Sequence, residues 1–235
     1  MFESCPKCGH RPLPADQSLP AACAACGVVL AKVGAPFRRQ RRTGSRWVLR
    51  EPQDPTVVRV WRLPLVALFA IWGVMLILMD HRDGEIGRSF LHRPLLVFHE
   101  AGHVLFIPFG EWMTVLGGTL GQLLMPAIMA GALLLKNGDR FGAALGVWLL
   151  GVSVLDVAPY IYDALHPQLT LLGGHTGEEG PHDWIYLLSS MGLLARAQTL
   201  GTLTHHLGAL VVIGASIWAA LEAWSSEMEL QVDER

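Results

Sequence analysis

Two groups of residues in this chain have the types and spacing to hold metal ions. The first is His99-Glu-Ala-Gly-His103, set in an apolar run between Pro94-Leu-Leu-Val-Phe98 and Val104-Leu-Phe-Ile-Pro108. On a helix, side chains four residues apart share a face, so both imidazoles reach one zinc ion. Glu100, the next residue, is placed to take a proton from a water activated there. Two histidines and a glutamate are expensive to bury in hydrocarbon, and ionisable residues within a membrane segment point to function. The competing reading is a coincidental pattern whose histidines are hydrogen-bonded to neighbours. The second group is Cys5-x2-Cys8 and Cys23-x2-Cys26, which accounts for all four cysteines. Four thiolates make a closed tetrahedral zinc site, and Gly9 and Gly27 let the backbone turn so that its amides face the sulfurs. In a cytosolic segment such a cluster binds metal in preference to forming disulfides.

Two histidines do not complete a catalytic site, which takes three protein ligands and keeps one position for water. Two candidates for the third ligand stand in the downstream sequence. Asp156, in Val154-Leu-Asp-Val-Ala-Pro159, lies on a helix expected to run parallel to that of His99, with Tyr160 and Asp163 on the same face. His182-Asp183 follows a glycine-rich loop and opens another helix. Each has a structural alternative: Asp156 as a carboxylate orienting a histidine from behind, Asp183 as a helix cap with Trp184 anchored at the interface. Asp156 follows Phe141 by fifteen positions and His99 follows Pro94 by five, a depth difference that a tilted or broken helix would absorb. Both candidates stay open.

These residues need a membrane-embedded frame. Of the 235 residues, 51% are hydrophobic and 16% charged, with a mean hydropathy of +0.38, which excludes an ordinary soluble domain. The fold class expected is mostly α: a polytopic bundle of about six helices behind a small zinc-binding unit. Residues 1–33 form that unit, 34–62 a basic linker, 63–226 the membrane domain and 227–235 an acidic tail. The helices are expected at 63–79, about 91–107, 112–135, 141–162, 183–196 and 199–224, with loops at 80–93 and 163–182. Residues 1–62 carry 11 of the 18 Lys and Arg but 4 of the 20 acids, which puts the N-terminus in the cytoplasm. No basic segment followed by an apolar one opens the chain, so no cleavable signal peptide is expected. Six spans put both ends inside, but alternation then sends the Lys136/Arg140 turn outside, against the charge rule. A re-entrant segment would remove the conflict.

The remaining polar residues read more modestly. Phe37-Arg-Arg-Gln-Arg-Arg42, with Arg46 and Arg50, is an orienting charge belt before a span, and nucleic acid is not the expected partner. His205 and His206 are expected to be hydrogen-bonded within the bundle, His10 solvated, and His92, His166 and His175 in loops or interfaces. Trp61, Trp112, Trp184 and Trp224 suit an aromatic belt.

The two cysteine knuckles, Cys5-Pro-Lys-Cys-Gly and Cys23-Ala-Ala-Cys-Gly-Val-Val-Leu, resemble a zinc ribbon. Over roughly residues 90–165 the chain resembles the site-2-protease-like intramembrane zinc metalloproteases, on His99-Glu-Ala-Gly-His103 in a membrane helix, Gly117-Gly118 and the later Leu155-Asp156. The resemblance implies zinc held by His99, His103 and Asp156, with Glu100 the general base in hydrolysing a membrane-protein substrate within the bilayer. It also implies a bacterial inner-membrane location. The family's aspartate stands in Asp-Gly, whereas Val157 follows Asp156 here. The expected cofactors are therefore two zinc ions, one structural and one catalytic, with a cytoplasmic protein partner for the ribbon. The reading from another class is a non-catalytic membrane scaffold or adaptor with a structural metal site.

Overall fold

The computed structural model describes residues 2–18, 21–33 and 55–225. The basic run at 37–42, Arg46, Arg50, most of the expected linker and the acidic tail lie outside the described residues. The chain divides into two units, Met1–Pro52 and Gln53–Arg235.

In the first unit each cysteine pair closes a tight knuckle. The Gly9 amide donates to the Cys5 carbonyl and that of Gly27 to the Cys23 carbonyl, both at 2.8 Å. Both glycines are left-handed, at φ +74° and +71°, where a side chain would be strained. An isolated antiparallel bridge joins Ala22 and Val29. The core consists of Cys5, Cys23 and Leu30, with Leu13, Cys26 and Val28 packed on it. So small a core needs a staple, and the four sulfurs are positioned to supply one.

The second unit contains six α-helices among the described residues: α1 (Pro55–Leu78), α2 (His92–Phe106), α3 (Glu111–Asn137), α4 (Arg140–Asp163), α5 (Asp183–Ser190) and α6 (Ala197–Ser225). α1 starts eight residues before the expected Leu63, so the end of the expected linker is helical. Four helices are long and apolar enough to cross a membrane, over Trp61–Leu78, Glu111–Asn137, Arg140–Asp163 and Leu194–Trp224. α2, at 15 residues, extends about 22 Å against a hydrocarbon thickness of about 30 Å. α5 has eight residues and stops before Gly192, which is left-handed at φ +67°. The reading of six spans is therefore corrected to four.

α4 is the central helix, with 67% of its span buried against 11% in α1. At one end of the bundle Phe141 and Ala144 of α4 pack with Ala219 and Ala223 of α6 and with Leu65 and Val66 of α1. There Arg62 lies over the Phe141 ring and Arg140 pairs with Glu222 at 2.7 Å. At the opposite end His81, just beyond α1, meets Tyr162 of α4 and His205 of α6. α1 and α4 therefore run in one direction and α3 and α6 in the other. The Lys136/Arg140 turn lies at the end where α1 begins, not opposite it as alternation of six spans requires.

α2 explains the difference. Ile86 and Leu95 share a cluster with Leu76, Trp148 and Leu155, so the 79–91 segment folds back into the bundle before α2 begins. α2 then returns antiparallel to the first half of α3. The two backbones touch: a Cβ on Gly102 would strike the Gly117 carbonyl, and one on Gly121 the Phe98 carbonyl. Apolar side chains left exposed on the outer faces, including Leu68, Ile71 and Met75 of α1 and Val104 and Leu105 of α2, suit contact with acyl chains.

One break in α3 is repaired by α4. Pro126 has no N–H to donate to the Gln122 carbonyl, four residues earlier. The Ser153 hydroxyl donates to that carbonyl instead, at 3.0 Å, and so ties the centres of the two helices together.

Candidate metal centre

α2 presents His99 and His103 on its inner face, with their rings 4.8 Å apart and nearly perpendicular. The ligand atoms of His99, Glu100 and His103 all lie within 4.8 Å of one another. α5 brings in a carboxylate from the other side. Asp183 Oδ2 lies 2.9 Å from His99 Nε2 and 3.3 Å from His103 Nε2. The outer ring nitrogens are tied back: His99 Nδ1 is 3.2 Å from Gln122 Oε1, and His103 Nδ1 is 2.8 Å from the Thr114 carbonyl. With protons on Nδ1, both Nε2 lone pairs point at one place.

That place fits a divalent cation. Two neutral imidazole nitrogens and one carboxylate oxygen are the donor set of a three-ligand catalytic zinc site. Gly118 of α3 forms its floor, where a Cβ would come within 2.5 Å of the Nε2 atoms of both histidines. Only a residue without a side chain leaves that space open. A cavity of about 690 Å³ runs from the site out to the 79–91 and 164–182 loops, with Glu100, Tyr160 and Gln168 on its walls. This is the size of a ligand site.

The structure separates the other candidates. Asp156 is buried and bonded to Gln122 Nε2 at 2.8 Å and to His92 Nδ1 at 2.9 Å. His182 caps α5 through Nδ1, which accepts from the Ile185 amide, and its Nε2 lies 3.4 Å from Asp163 Oδ2. The other oxygen of Asp163, Oδ1, accepts from the amides of Gln168 and Leu169, while Oδ2 and His182 Nε2 approach without a hydrogen bond. Asp163 and His182 thus join the two ends of the 164–182 loop and set Asp183 over the histidines. The Asp183 amide is in turn bonded to the Tyr160 hydroxyl at 3.0 Å. α2 runs parallel to α4 and begins midway along the bundle, which brings His92 to the level of Asp156 and accounts for the depth difference. His205 stacks on His81 and lies outside the centre. Sequence reasoning missed Gln122 and Thr114. Gln122 carried one signal, a lone amide in an otherwise apolar span.

In the N-terminal unit the four sulfurs form a second group. Cys5 and Cys26 are 3.7 Å apart, Cys8 and Cys23 3.8 Å, and none is in a disulfide. A tetrahedron with bonds of 2.3 Å has edges of about 3.8 Å, which these two spacings match, and all four sulfurs lie within 4.8 Å of one another, so the group could hold one metal ion. Burial opposes ionisation of the Cys5 thiol, but the amides of Cys8 and Lys7 outweigh it and bring it down to about 6.

No protein-family model, curated protein or solved structure matches the chain. The likeness to intramembrane metalloproteases therefore rests on the residues themselves.

Proposed function

We propose that this chain is an intramembrane zinc endopeptidase whose catalytic ion is held by His99, His103 and Asp183, with a zinc ribbon at its N-terminus. The observation that carries the reading is the meeting of two imidazole Nε2 atoms and the Asp183 carboxylate over Gly118, at the inner end of a cavity that Glu100 lines. A bound zinc supplies Lewis-acid polarisation of a water and of the scissile carbonyl. Glu100 takes the proton of the attacking water and delivers it to the leaving amine. The Tyr160 hydroxyl, through the Asp183 amide, and the Asp163/His182 pair hold the α5 ligand in register. The substrate is an extended stretch of a membrane protein, because a hydrogen-bonded helix hides its carbonyls. The ribbon, rigid once loaded, is a docking module for a cytoplasmic protein.

The test uses full-length protein in lipid nanodiscs, zinc counting and a reconstituted single-span reporter. Wild type holds two zinc ions and cleaves the reporter. Glu100→Gln holds two and does not cleave; undiminished cleavage by this variant excludes Glu100 as the base. Asp183→Ala holds one, and retention of both ions removes Asp183 from the ligand set.

A further inference from the structure

The Asp156 carboxylate is buried among α2, α3 and α4 without reaching either Nε2 atom, and both its oxygens are occupied. Oδ1 lies 2.9 Å from His92 Nδ1, and Oδ2 accepts from Gln122 Nε2 at 2.8 Å. The other end of the Gln122 amide, Oε1, is 3.2 Å from His99 Nδ1. A carboxylate only accepts, so the Gln122 amide must turn its NH₂ to Asp156 and its carbonyl to His99. A carbonyl also only accepts, so His99 carries a proton on Nδ1; with a metal ion bound, its Nε2 lone pair is then free for the ion, and without one the Asp183 carboxylate 2.9 Å away calls for a proton on Nε2 as well. The Gln122 backbone is itself pinned by Ser153.

We propose that Gln122, oriented by Asp156 and His92, is a positioning residue that fixes the tautomer and ring plane of His99. Asp156 then serves the metal centre through Gln122 and is not a ligand. The inference rests on the reading that His99 and His103 hold a metal ion. His103 has no comparable side-chain chain, since its Nδ1 is held by the Thr114 backbone carbonyl. The two ligands of one ion therefore differ in what fixes them, and only one can be unsettled by a remote substitution.

The experiment is competition for zinc between the full-length protein and a chromophoric chelator, with Co²⁺ absorption bands as the spectroscopic signature of the ligand geometry. Gln122→Leu keeps the bulk and loses both hydrogen bonds. It is expected to weaken the second zinc by about 10–100-fold, the usual effect of removing such a partner, with ribbon zinc unchanged. Gln122→Glu places two carboxylates face to face and weakens binding, whereas Asp156→Asn alone keeps an acceptor for the Gln122 amide and has the smaller effect. Combined, they restore a donor at 156 and an acceptor at 122, and wild-type affinity and Co²⁺ bands return. Unchanged affinity in Gln122→Leu overturns the proposal. So does a combined variant no better than Gln122→Glu alone, which marks the chain of hydrogen bonds as merely structural. Loss of the second zinc in His99→Ala, with indifference to Gln122→Leu, removes the positioning alone; retention in His99→Ala removes the metal centre and the positioning with it.

Discussion

At the scale of residues, the centre depends on what is missing at position 118 as much as on what its ligands supply. A methyl group there would lie 2.5 Å from the Nε2 atoms of both histidines, in the space a cation needs. Alanine is also the better helix former, by about 1 kcal/mol in an exposed helix interior. Gly118→Ala is therefore expected to lose the second zinc with helix content unchanged, measured by metal counting beside circular dichroism. Full metal content in that variant would mean that the ion sits elsewhere. The histidines, Glu100 and the cysteines are legible in the sequence because their spacing alone brings them together on one helix face or in one knuckle. Asp156 and Asp183 are equivalent to that kind of reading, since each is a carboxylate on a helix downstream of the histidines and no local spacing ties either to them. Only the path of the 164–182 loop, closed by Asp163 and His182, separates them. At the ribbon, protons compete with metal for the thiolates, and the site is uneven: the Cys5 thiol is brought down to about 6 while that of Cys8 is pushed up. Zinc release from the ribbon is expected to rise as pH falls below 7, followed with a zinc-sensitive dye in a His99→Ala/His103→Ala background. Release independent of pH between 5 and 7 would contradict a thiolate site.

At the scale of elements, the pairing of α3 with α4 hinges on the carbonyl that Pro126 leaves without a helical donor. Ser153→Ala removes the substitute donor and leaves that buried carbonyl unpaired, at a cost of about 1–3 kcal/mol. Adding Pro126→Ala restores an N–H at the right position, so the double variant is expected to recover most of that loss. Unfolding in mixed detergent micelles measures all three proteins, and equal stabilities would show that the Ser153 bond is incidental. α3 and α4 are readable from composition to within two residues, because Gly138 and Asp139 separate them with a left-handed turn and a side-chain cap, whereas the start of α1 is eight residues off. α5 is shorter than expected because Gly192 stops a helix whose composition would carry it on. α2 is apolar enough to pass for a span. Its start in the middle of the bundle follows from Ile86 and Leu95 packing against Trp148, a long-range contact that no local pattern encodes.

At the scale of the whole molecule, counting α2 among the spans inverts the side on which the α3–α4 turn and the 164–182 loop fall, and that element accounts for the conflict with the charge rule. With four spans, Lys136 and Arg140 share an end of the bundle with Arg62, which removes the conflict at that turn, while Arg82, Arg88 and Arg196 lie at the other end. The metal centre lies toward the other end, because Asp156 and Tyr160 are within the last two turns of α4 and the cavity opens between the 79–91 and 164–182 loops. If the end of the bundle at which α1 begins is cytoplasmic, the candidate metal centre therefore lies toward the outer face. The arrangement is checked by cysteine labelling of the full-length protein in intact cells, using a membrane-impermeant maleimide. Glu178→Cys, in the exposed 164–182 loop, should label without permeabilisation, and Asn137→Cys, at the α3–α4 turn, only after it. Labelling of Asn137→Cys in intact cells would place that turn outside and return α2 to the count of spans. Labelling of neither position until the membrane is opened would put both loops on the inner side and break the four-span order at α4.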